Sequence, residues 1–312
     1  MGTPPRTSVL LPTCRRTDVV SEIVGQLRAG DELLVVCDDD DDPAATQAAE
    51  YGEQVRAVPA GDPEGCSGKA NAIAVGMDAA AHDRLVWTDD DFYHPEGWLG
   101  TLLADYETHG PTTELPQFVG TDPLSYLAEP LYALAGTGGV YGADLAWGGS
   151  LVFDRSDIDE AAFLADLRRS VSDDGLLSEF CSFHAVRRVR TVRIGGSIRA
   201  SLERHVRFIQ IAWYHGRREL VVGTALGTLV AVGCLLAPLL GLIGTTLFCA
   251  AVYLAFGIRR WTVLLAYPAA LAQAPLFVYA LARQSFVWGG RRYRWRSLFD
   301  VEVIDAGPAT ES

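Results

Sequence analysis

The sequence has a single lysine, Lys69, among its 26 basic residues and a formal net charge of −13 over 312 residues. Such an acidic chain offers no basic face to a phosphate backbone, so nucleic acid is not expected as a partner. The six cysteines include no Cys-x-x-Cys pair, which argues against a zinc site or a disulfide framework and favours small buried side chains. The first residues lack a basic segment followed by a long apolar one, so no signal peptide is expected.

Charged residues are missing from two stretches near the end of the sequence, 220–258 and 261–282. One membrane-spanning helix needs about 20 apolar residues, so these stretches predict two or three membrane segments within 220–283. Arginines and tryptophans flank both stretches, as they do at membrane borders. We therefore expect a multi-pass protein of the cell membrane, with the lipid bilayer as a partner and the preceding domain facing the cytoplasm.

The part of the chain before the apolar stretches alternates short Val- and Leu-rich runs with helical patterns. This alternation predicts an α/β domain with a doubly wound sheet, whose ligands bind beyond the carboxyl ends of the strands. The predicted boundaries are a catalytic domain over 1–203, an interfacial segment over 204–219, membrane helices over 220–283 and a basic juxtamembrane tail over 284–312. The predicted strands are Ser8–Leu11, Leu33–Cys37, Val55–Val58, Leu85–Thr88, Ser150–Phe153 and Val189–Ile194; the predicted helices are Val19–Ala29, Pro43–Tyr51, Lys69–Ala81, Trp98–Thr108, Leu124–Ala135, Ala161–Arg169 and Leu176–His184.

Two predicted strands are followed at once by runs of aspartate. Asp89 and Asp91 flank one residue at a strand end, where two carboxylates can hold a hard divalent cation, Mg²⁺ or Mn²⁺. An acidic turn without a ligand is the other interpretation. In the run 38–42 we expect a solvated loop that ends in a helix cap at Asp42, with Asp38 or Asp39 placed to bind a nucleotide base or ribose.

Three further segments combine a helix start or a helix face with charge. The glycine-rich turn 65–71 carries the lone lysine and can face an anion, although it departs from the P-loop pattern. The segment 172–175 contains Asp174, which is either part of a helix cap or a general base. Arg204 and Arg207 lie one helical turn apart, on an interfacial helix or as a clamp for a diphosphate.

In this order, the motifs resemble glycosyltransferase family 2, with its GT-A fold, and within it the ceramide glucosyltransferase type. The resemblance covers about residues 7–296 and is carried by VVCDDDDDPA, SGKANAI, VWTDDDF, WGGSLVF, SDDGLLS, RHVRF and the tail WGGRRYRWR. Phe208 stands where that pattern has Trp, the N-terminal membrane helix has no counterpart, and Asp91 supplies a second metal-motif carboxylate that the ceramide type usually lacks. The last two departures put ceramide itself in doubt as the acceptor.

The resemblance implies a role for each matching residue. It implies Asp174 as the catalytic base and Asp89 and Asp91 as metal ligands. It implies nucleotide-sugar binding by Asp38, Asp39, Lys69, Asn71, Asp89, Arg204, Arg207 and Phe208. We further expect Trp147, Gly148, Gly149 and Asp173 to line the acceptor or sugar pocket.

The function implied is an inverting, metal-dependent transfer of a hexose from a nucleotide-diphosphate sugar, with a UDP-sugar as the expected donor, to the hydroxyl of a membrane lipid. The alternatives are transfer to a polyprenyl phosphate, a processive polysaccharide synthase, or a membrane protein that binds nucleotide sugars without catalysis. The preference for Arg over Lys and the 24 aspartates against 15 glutamates suggest a salt-adapted, haloarchaeal source, for which an ether glycolipid is a better acceptor than ceramide.

Overall fold

The computed structural model describes residues 5–306, so the ends of the predicted domain 1–203 and of the predicted tail 284–312 lie outside the described residues. The chain divides into two compact units. The first contains the described residues up to Glu114 together with Asp144–Val186 and Phe299–Val303; the second contains Leu115–Ala143, Arg187–Leu298 and the described residues from Ile304.

Seven strands form the larger sheet, in the order β3-β2-β1-β4-β6-β5-β7. The first four strands along the chain are parallel neighbours, and β6 runs antiparallel to both β4 and β5. This arrangement confirms the predicted α/β domain with a mixed sheet of the GT-A type. The strands are β1 Thr7–Pro12, β2 Glu32–Cys37, β3 Val55–Pro59, β4 Arg84–Thr88, β5 Thr112–Val119, β6 Ser150–Asp154 and β7 His184–Arg193.

Helices cover both faces of this sheet, because the central strands carry apolar side chains on both faces. Leu10 and Leu34 point into one core with Trp87, whereas Val9 and Leu33 point into a second core on the opposite face. The fold is therefore doubly wound, as predicted. The helices of this part of the chain are α1 Asp18–Val24, α2 Pro43–Ala48, α3 Gly68–Ala79, α4 Trp98–His109, α5 Pro123–Tyr132, α6 Gly138–Ala143, α7 Glu160–Leu167 and α8 Asp173–Phe180.

The sequence-based boundaries differ from the structure in several places. Helix α1 ends at Val24 rather than Ala29, and β7 begins at His184 rather than Val189. The helix expected over Leu176–His184 begins earlier, at Asp173, and ends at Phe180, and His184 already belongs to β7. Strand β5 was not predicted. Both β5 and β7 carry polar or charged residues between their apolar ones, which hides the continuous apolar pattern of a buried strand.

The second unit contains the apolar stretches. Helix α9 spans Ile198–His215, α10 spans Arg217–Leu236, α11 spans Pro238–Ala255 and α12 spans Ala266–Ala282. Within the described residues, three helical segments are long and apolar enough to cross a membrane: 217–236, 238–255 and 261–282. The first apolar stretch thus divides into two helices before Pro238, where a proline is tolerated at a helix start. The second forms one segment, and α12 continues through Pro275.

A three-stranded sheet follows the last helix, in the order β10-β9-β8. Its strands are β8 Ser285–Trp288, β9 Arg291–Ser297 and β10 Asp300–Ala306. Gly289 and Gly290 form the two-residue turn of the first hairpin with positive φ angles of 56° and 76°, a conformation that favours glycine. The sequence predicts only a basic tail over 284–312, so this sheet is a finding of the structure.

Candidate active site

The acidic run after β4 is fixed by its neighbour β6. Thr88 pairs with Ser150 across the antiparallel ladder, and its Oγ1 donates to the carbonyl of Gly149 at 3.0 Å. The amide of Asp89 donates to the same carbonyl at 3.3 Å. The predicted metal-binding segment and the predicted glycine pair are therefore joined through their backbones.

Lys69 lies in the first turn of α3 and contacts this run. Ser67 caps the helix by accepting from the amide of Ala70. The Lys69 Nζ lies 2.6 Å from Oδ1 of Asp89 and 3.4 Å from Oδ2 of Asp173. Burial lowers the pKa of Lys69, but the negative charges of Asp173, Asp89 and Asp174 outweigh burial and raise it. The lysine therefore stays protonated.

Asp173 and Asp174 begin α8, which Ser172 caps. The Oδ1 of Asp174 accepts from Ser172 Oγ and from the amide of Gly175, both at 2.8 Å, and its Oδ2 accepts from the amide of Gly148 at 3.3 Å. Asp173 is buried, and burial raises its pKa to about 6 although Lys69 acts in the opposite direction. The carboxylate of Asp174, the expected base, is thus held in one orientation by three hydrogen bonds.

The glycine pair leaves no space for larger residues. A Cβ atom on Gly148 would lie 2.6 Å from Oδ2 of Asp173 and 3.3 Å from Nζ of Lys69. A Cβ atom on Gly149 would lie 2.4 Å from the indole of Trp147. That indole is buried and packs on Phe92, with ring centroids 5.5 Å apart. The close approach of backbone to side chains explains why glycine occupies both positions.

The residues of the acidic run differ in what they contact. Asp90 accepts from Thr13 Oγ1 at 2.6 Å and forms a two-pronged ion pair with Arg15 at 2.9 and 3.1 Å. Asp89 instead faces the ammonium of Lys69, and Asp91 is half-buried. The carboxylates of Asp89 and Asp91, two residues apart, offer the oxygen ligands that Mg²⁺ and Mn²⁺ prefer.

A different cluster has three potential metal-ligating atoms within 4.8 Å of one another in the described part of the chain. It comprises Cys14 and the carboxylates of Asp38 and Asp42. Cys14 as a whole is exposed, unlike the buried cysteines expected from the sequence. Its sulfur is nevertheless partly buried, and this burial and the negative charge of Asp38 raise the pKa of the thiol to about 12. The Oδ2 of Asp42 accepts from the amides of Asp38 and Asp39, at 2.8 and 3.2 Å. One oxygen of the Asp42 carboxylate is therefore already hydrogen-bonded to the backbone of its own loop. All six cysteines are free thiols.

The predicted nucleotide-binding residues Asp38, Asp39 and Asn71 lie around the ends of β2 and β3. The Nδ2 of Asn71 donates to the carbonyls of Ala60 and Gly61, at 3.0 and 3.1 Å. The amide of Gly61 in turn donates to the carbonyl of Asp38 at 2.8 Å. Asn71 thus holds the loop after β3 beside Asp38, while Asp39 is exposed and accepts from the amide of Asp41.

The other predicted donor-binding residues, Arg204, Arg207 and Phe208, lie on α9 in the second unit. The ring of Phe208 packs near Phe118 and Tyr132, with centroids 5.1 and 5.5 Å away. The Arg207 guanidinium lies 4.1 Å from the ring centroid of Trp288. Burial raises the pKa of Tyr132 to about 12, although Arg204 and Arg207 oppose the rise.

Sequence reasoning missed His94, which lies under the acidic run. Its Nε2 is 2.6 Å from Thr88 Oγ1, and its amide donates to Glu22 at 2.8 Å. The Nδ1 atom of the same ring lies 3.4 Å from Oε2 of Glu22, so both ring nitrogens face polar atoms. A histidine three residues after Asp91 was the signal available in the sequence.

The family model described as glycosyl transferase family 2 matches residues 8–146. No curated protein matches the chain. Among solved structures, it is similar to glucosyl-3-phosphoglycerate synthase from Mycobacterium tuberculosis in complex with Mn²⁺ and uridine-diphosphate-glucose, with 16% identity over 66% of this chain and 79% of that one and a TM-score of 0.41. It is also similar to mannosyl-3-phosphoglycerate synthase from Rubrobacter xylanophilus, with 21% identity over 70% of this chain and 75% of that one and a TM-score of 0.40. Both solved structures are distant in sequence from this chain. Residues 8–146, fewer than half of the chain, are therefore similar to family 2 glycosyltransferases.

Proposed function

We propose that the protein is an inverting hexosyltransferase that moves a sugar from a nucleotide-diphosphate donor, expected to be a UDP-sugar, to the hydroxyl of a membrane lipid. The observation that carries the proposal is the fixed carboxylate of Asp174, which faces the Gly148 amide beside the cluster of Lys69, Asp173 and Asp89. This cluster combines a proton acceptor with cationic and metal-binding groups. Transfer of a glycosyl group with a diphosphate leaving group needs both.

The donor would bind across the strand ends of the first unit. Asp38 or Asp39 would recognise the base or ribose, next to the loop that Asn71 holds. Asp89 and Asp91 would hold a divalent cation, Mg²⁺ or Mn²⁺. When bound, this cation neutralises negative charge on the diphosphate.

In the reaction, the acceptor oxygen attacks the anomeric carbon from the face opposite the diphosphate. The new carbon–oxygen bond forms while the bond from that carbon to the diphosphate oxygen breaks and leaves its electron pair on the diphosphate. Asp174 takes the proton of the acceptor hydroxyl. Lys69 donates to the negative charge that develops on the leaving group, and we assign the same task to Arg204 and Arg207, with Phe208 as their aromatic neighbour.

A lipid acceptor gives the three apolar helices a purpose that a water-soluble acceptor would not. Helix α9 precedes them and carries both Arg204 and Arg207. Because arginines are enriched on the cytoplasmic side of membrane segments, we propose the cell membrane as the location, with the catalytic domain facing the cytoplasm.

The test uses the purified full chain in detergent at high salt, supplied with a panel of nucleotide sugars, Mg²⁺ or Mn²⁺, and total membrane lipid from a halophile. Mass spectrometry is expected to find a neutral lipid heavier by one hexose. In the Asp174→Asn variant the rate should fall by about 10²–10⁴-fold, because the acceptor hydroxyl loses its base. The matched control is Asp40→Asn, which changes an exposed carboxylate in the same way.

Other products would contradict this assignment and identify the alternative. A polyprenyl sugar phosphate made equally well by the wild type and by Asp174→Asn would indicate an anionic acceptor that needs no base. A polymer would indicate a processive synthase. Binding of the nucleotide sugar without turnover would indicate a protein that has lost catalysis.

A further inference from the structure

The only lysine of the sequence, Lys69, occupies a position that suits an ammonium better than a guanidinium. Lys69 lies between two carboxylates, 2.6 Å from Oδ1 of Asp89 and 3.4 Å from Oδ2 of Asp173. An ammonium is a compact charge with three donors, whereas a guanidinium is a wide planar fork. Gly148 closes the remaining side, because even a Cβ atom there would lie 3.3 Å from Nζ. The site is therefore built around a small cation.

The two carboxylates differ in their access to water. The side chain of Asp173 is 3% exposed, and that of Asp89 is 23% exposed. Removing the partner of a deeply buried charge is strongly unfavourable, whereas a carboxylate that still contacts water can be reached by a cation from solution. Lys69 is therefore held by Asp173, and its contact with Asp89 is the one that a competing cation can replace.

Backbone contacts fix the start of α3 beside the segment that carries Asp173. Ser67, two residues before Lys69, donates through Oγ to the carbonyl of Val171 at 2.7 Å, and its amide donates to the carbonyl of Ser170 at 3.0 Å. These bonds join the start of α3 to the loop that leads into Asp173. The lysine and its buried partner thus belong to one anchored segment.

We propose that Lys69 is a tethered cation that occupies Asp89 in the donor-free protein, and that a divalent metal ion must displace it from Asp89 while it remains on Asp173. The proposal rests on the proposed function, in that Asp89 is taken as a metal ligand. Metal alone should bind weakly, because it competes with the ammonium. A nucleoside diphosphate gives the displaced ammonium a new anionic partner, so metal and nucleotide should strengthen each other's binding.

The experiment is a calorimetric titration of Mn²⁺ into the full chain in detergent, with and without UDP. In the Lys69→Met variant, the Kd for Mn²⁺ without nucleotide should fall by about tenfold. This size is expected because the ion pair that the metal no longer has to break is partly buried, and such a pair contributes more than an exposed one and less than a fully buried one. UDP should strengthen Mn²⁺ binding less in this variant than in the wild type. Arg16→Met is the matched control, since it removes an exposed cation that pairs with Glu50 and should leave the weak binding of metal alone unchanged.

A Lys69→Met variant that binds Mn²⁺ no more tightly than the wild type would overturn the proposal. If this variant does not fold, the comparison is made between Asp173→Asn and the double variant Lys69→Met/Asp173→Asn, where no buried charge is left unpaired. The double variant should bind Mn²⁺ more tightly, and equal affinities would contradict the proposal. If the wild type binds no Mn²⁺ even with UDP, the proposal is overturned as well. The glycosyl-transfer assay then shows separately whether the proposed function stands.

Discussion

Two acidic runs follow two parallel strands of the same sheet, and in sequence they look alike. Residues 38–42 follow β2 and residues 89–91 follow β4, each directly after a buried apolar strand. In the first run, carboxylates accept from amides of their own loop: Asp42 from Asp38 and Asp39, and Asp39 from Asp41. The first run therefore uses part of its negative charge to hold its own turn.

In the second run the carboxylates reach other parts of the fold. Asp89 contacts the ammonium of Lys69, and Asp90 contacts Thr13 and Arg15. A carboxylate that faces a cation from another element can exchange that cation, whereas one that accepts from its own loop has a structural task. The task of an acidic run at a strand end therefore depends less on how many carboxylates it has than on which partners the fold brings to them.

The largest expected effect separates the two runs directly. Asp89→Asn should lower kcat by about 10²–10³-fold, since a metal ion contributes several kcal/mol of charge stabilisation in the transition state. Asp40→Asn, in the first run, should leave kcat unchanged. Both are measured as initial rates at saturating donor and Mn²⁺. A similar loss in the two variants would break the distinction between the runs.

A smaller effect is expected within the second run itself. Asp90→Asn should reduce the free energy of unfolding by about 1–2 kcal/mol, because it weakens the bonds to Thr13 and Arg15. The rate of transfer should change little, as Asp90 faces away from Lys69. Chemical denaturation and initial rates measure the two quantities on one preparation. Arg15→Gln is the matched control and should cost a similar or smaller amount of stability. A loss of turnover in Asp90→Asn comparable to that of Asp89→Asn would contradict the division of tasks.

The smallest effect concerns the other end of β2, where Glu32 is buried. Burial raises the pKa of Glu32, but hydrogen bonds from Ser8, the amide of Ala81 and Arg56 outweigh burial and lower it. A carboxyl group with a lowered pKa stabilises the folded state above the pKa of the unfolded chain, roughly pH 4.3, and loses this contribution as the pH falls through the folded value. Glu32→Gln should therefore cost about 1 kcal/mol at neutral pH and less at pH 3. Denaturant titrations at both pH values measure this, and an equal cost at pH 3 and pH 7 would refute it.

Much of the fold could be predicted because its central strands and its long apolar helices come from largely apolar runs. The four parallel strands and the α/β class are confirmed, and the apolar stretches form three helices within the described chain. The hairpin of β8 and β9 could not be recognised in the same way. Arg292, Tyr293, Arg294 and Trp295 alternate with the period of a strand, but the density of arginine suggested a membrane flank.

The sequence predicts the residue types of the candidate site but not the contacts between them. The sequence order marks Lys69, Asp89 and Asp174, yet nothing local indicates that Asp173 shares the ammonium with Asp89, since 104 positions separate it from Lys69. Likewise, Asp42 occupies the expected cap position of α2, but its carboxylate bonds to the preceding amides instead. Such pairings are set by the packing of the sheet, which a linear pattern does not contain.

The isolation of Lys69 makes it a spectroscopic reporter. A protein grown with isotope-labelled lysine would carry one labelled side chain, so its ammonium and adjacent methylene groups would give a single set of NMR signals. Each cation or nucleotide added would then be observed from inside the cluster of Asp89 and Asp173, without a mutation and without turnover. Few binding sites can be followed through the only residue of its kind in the chain.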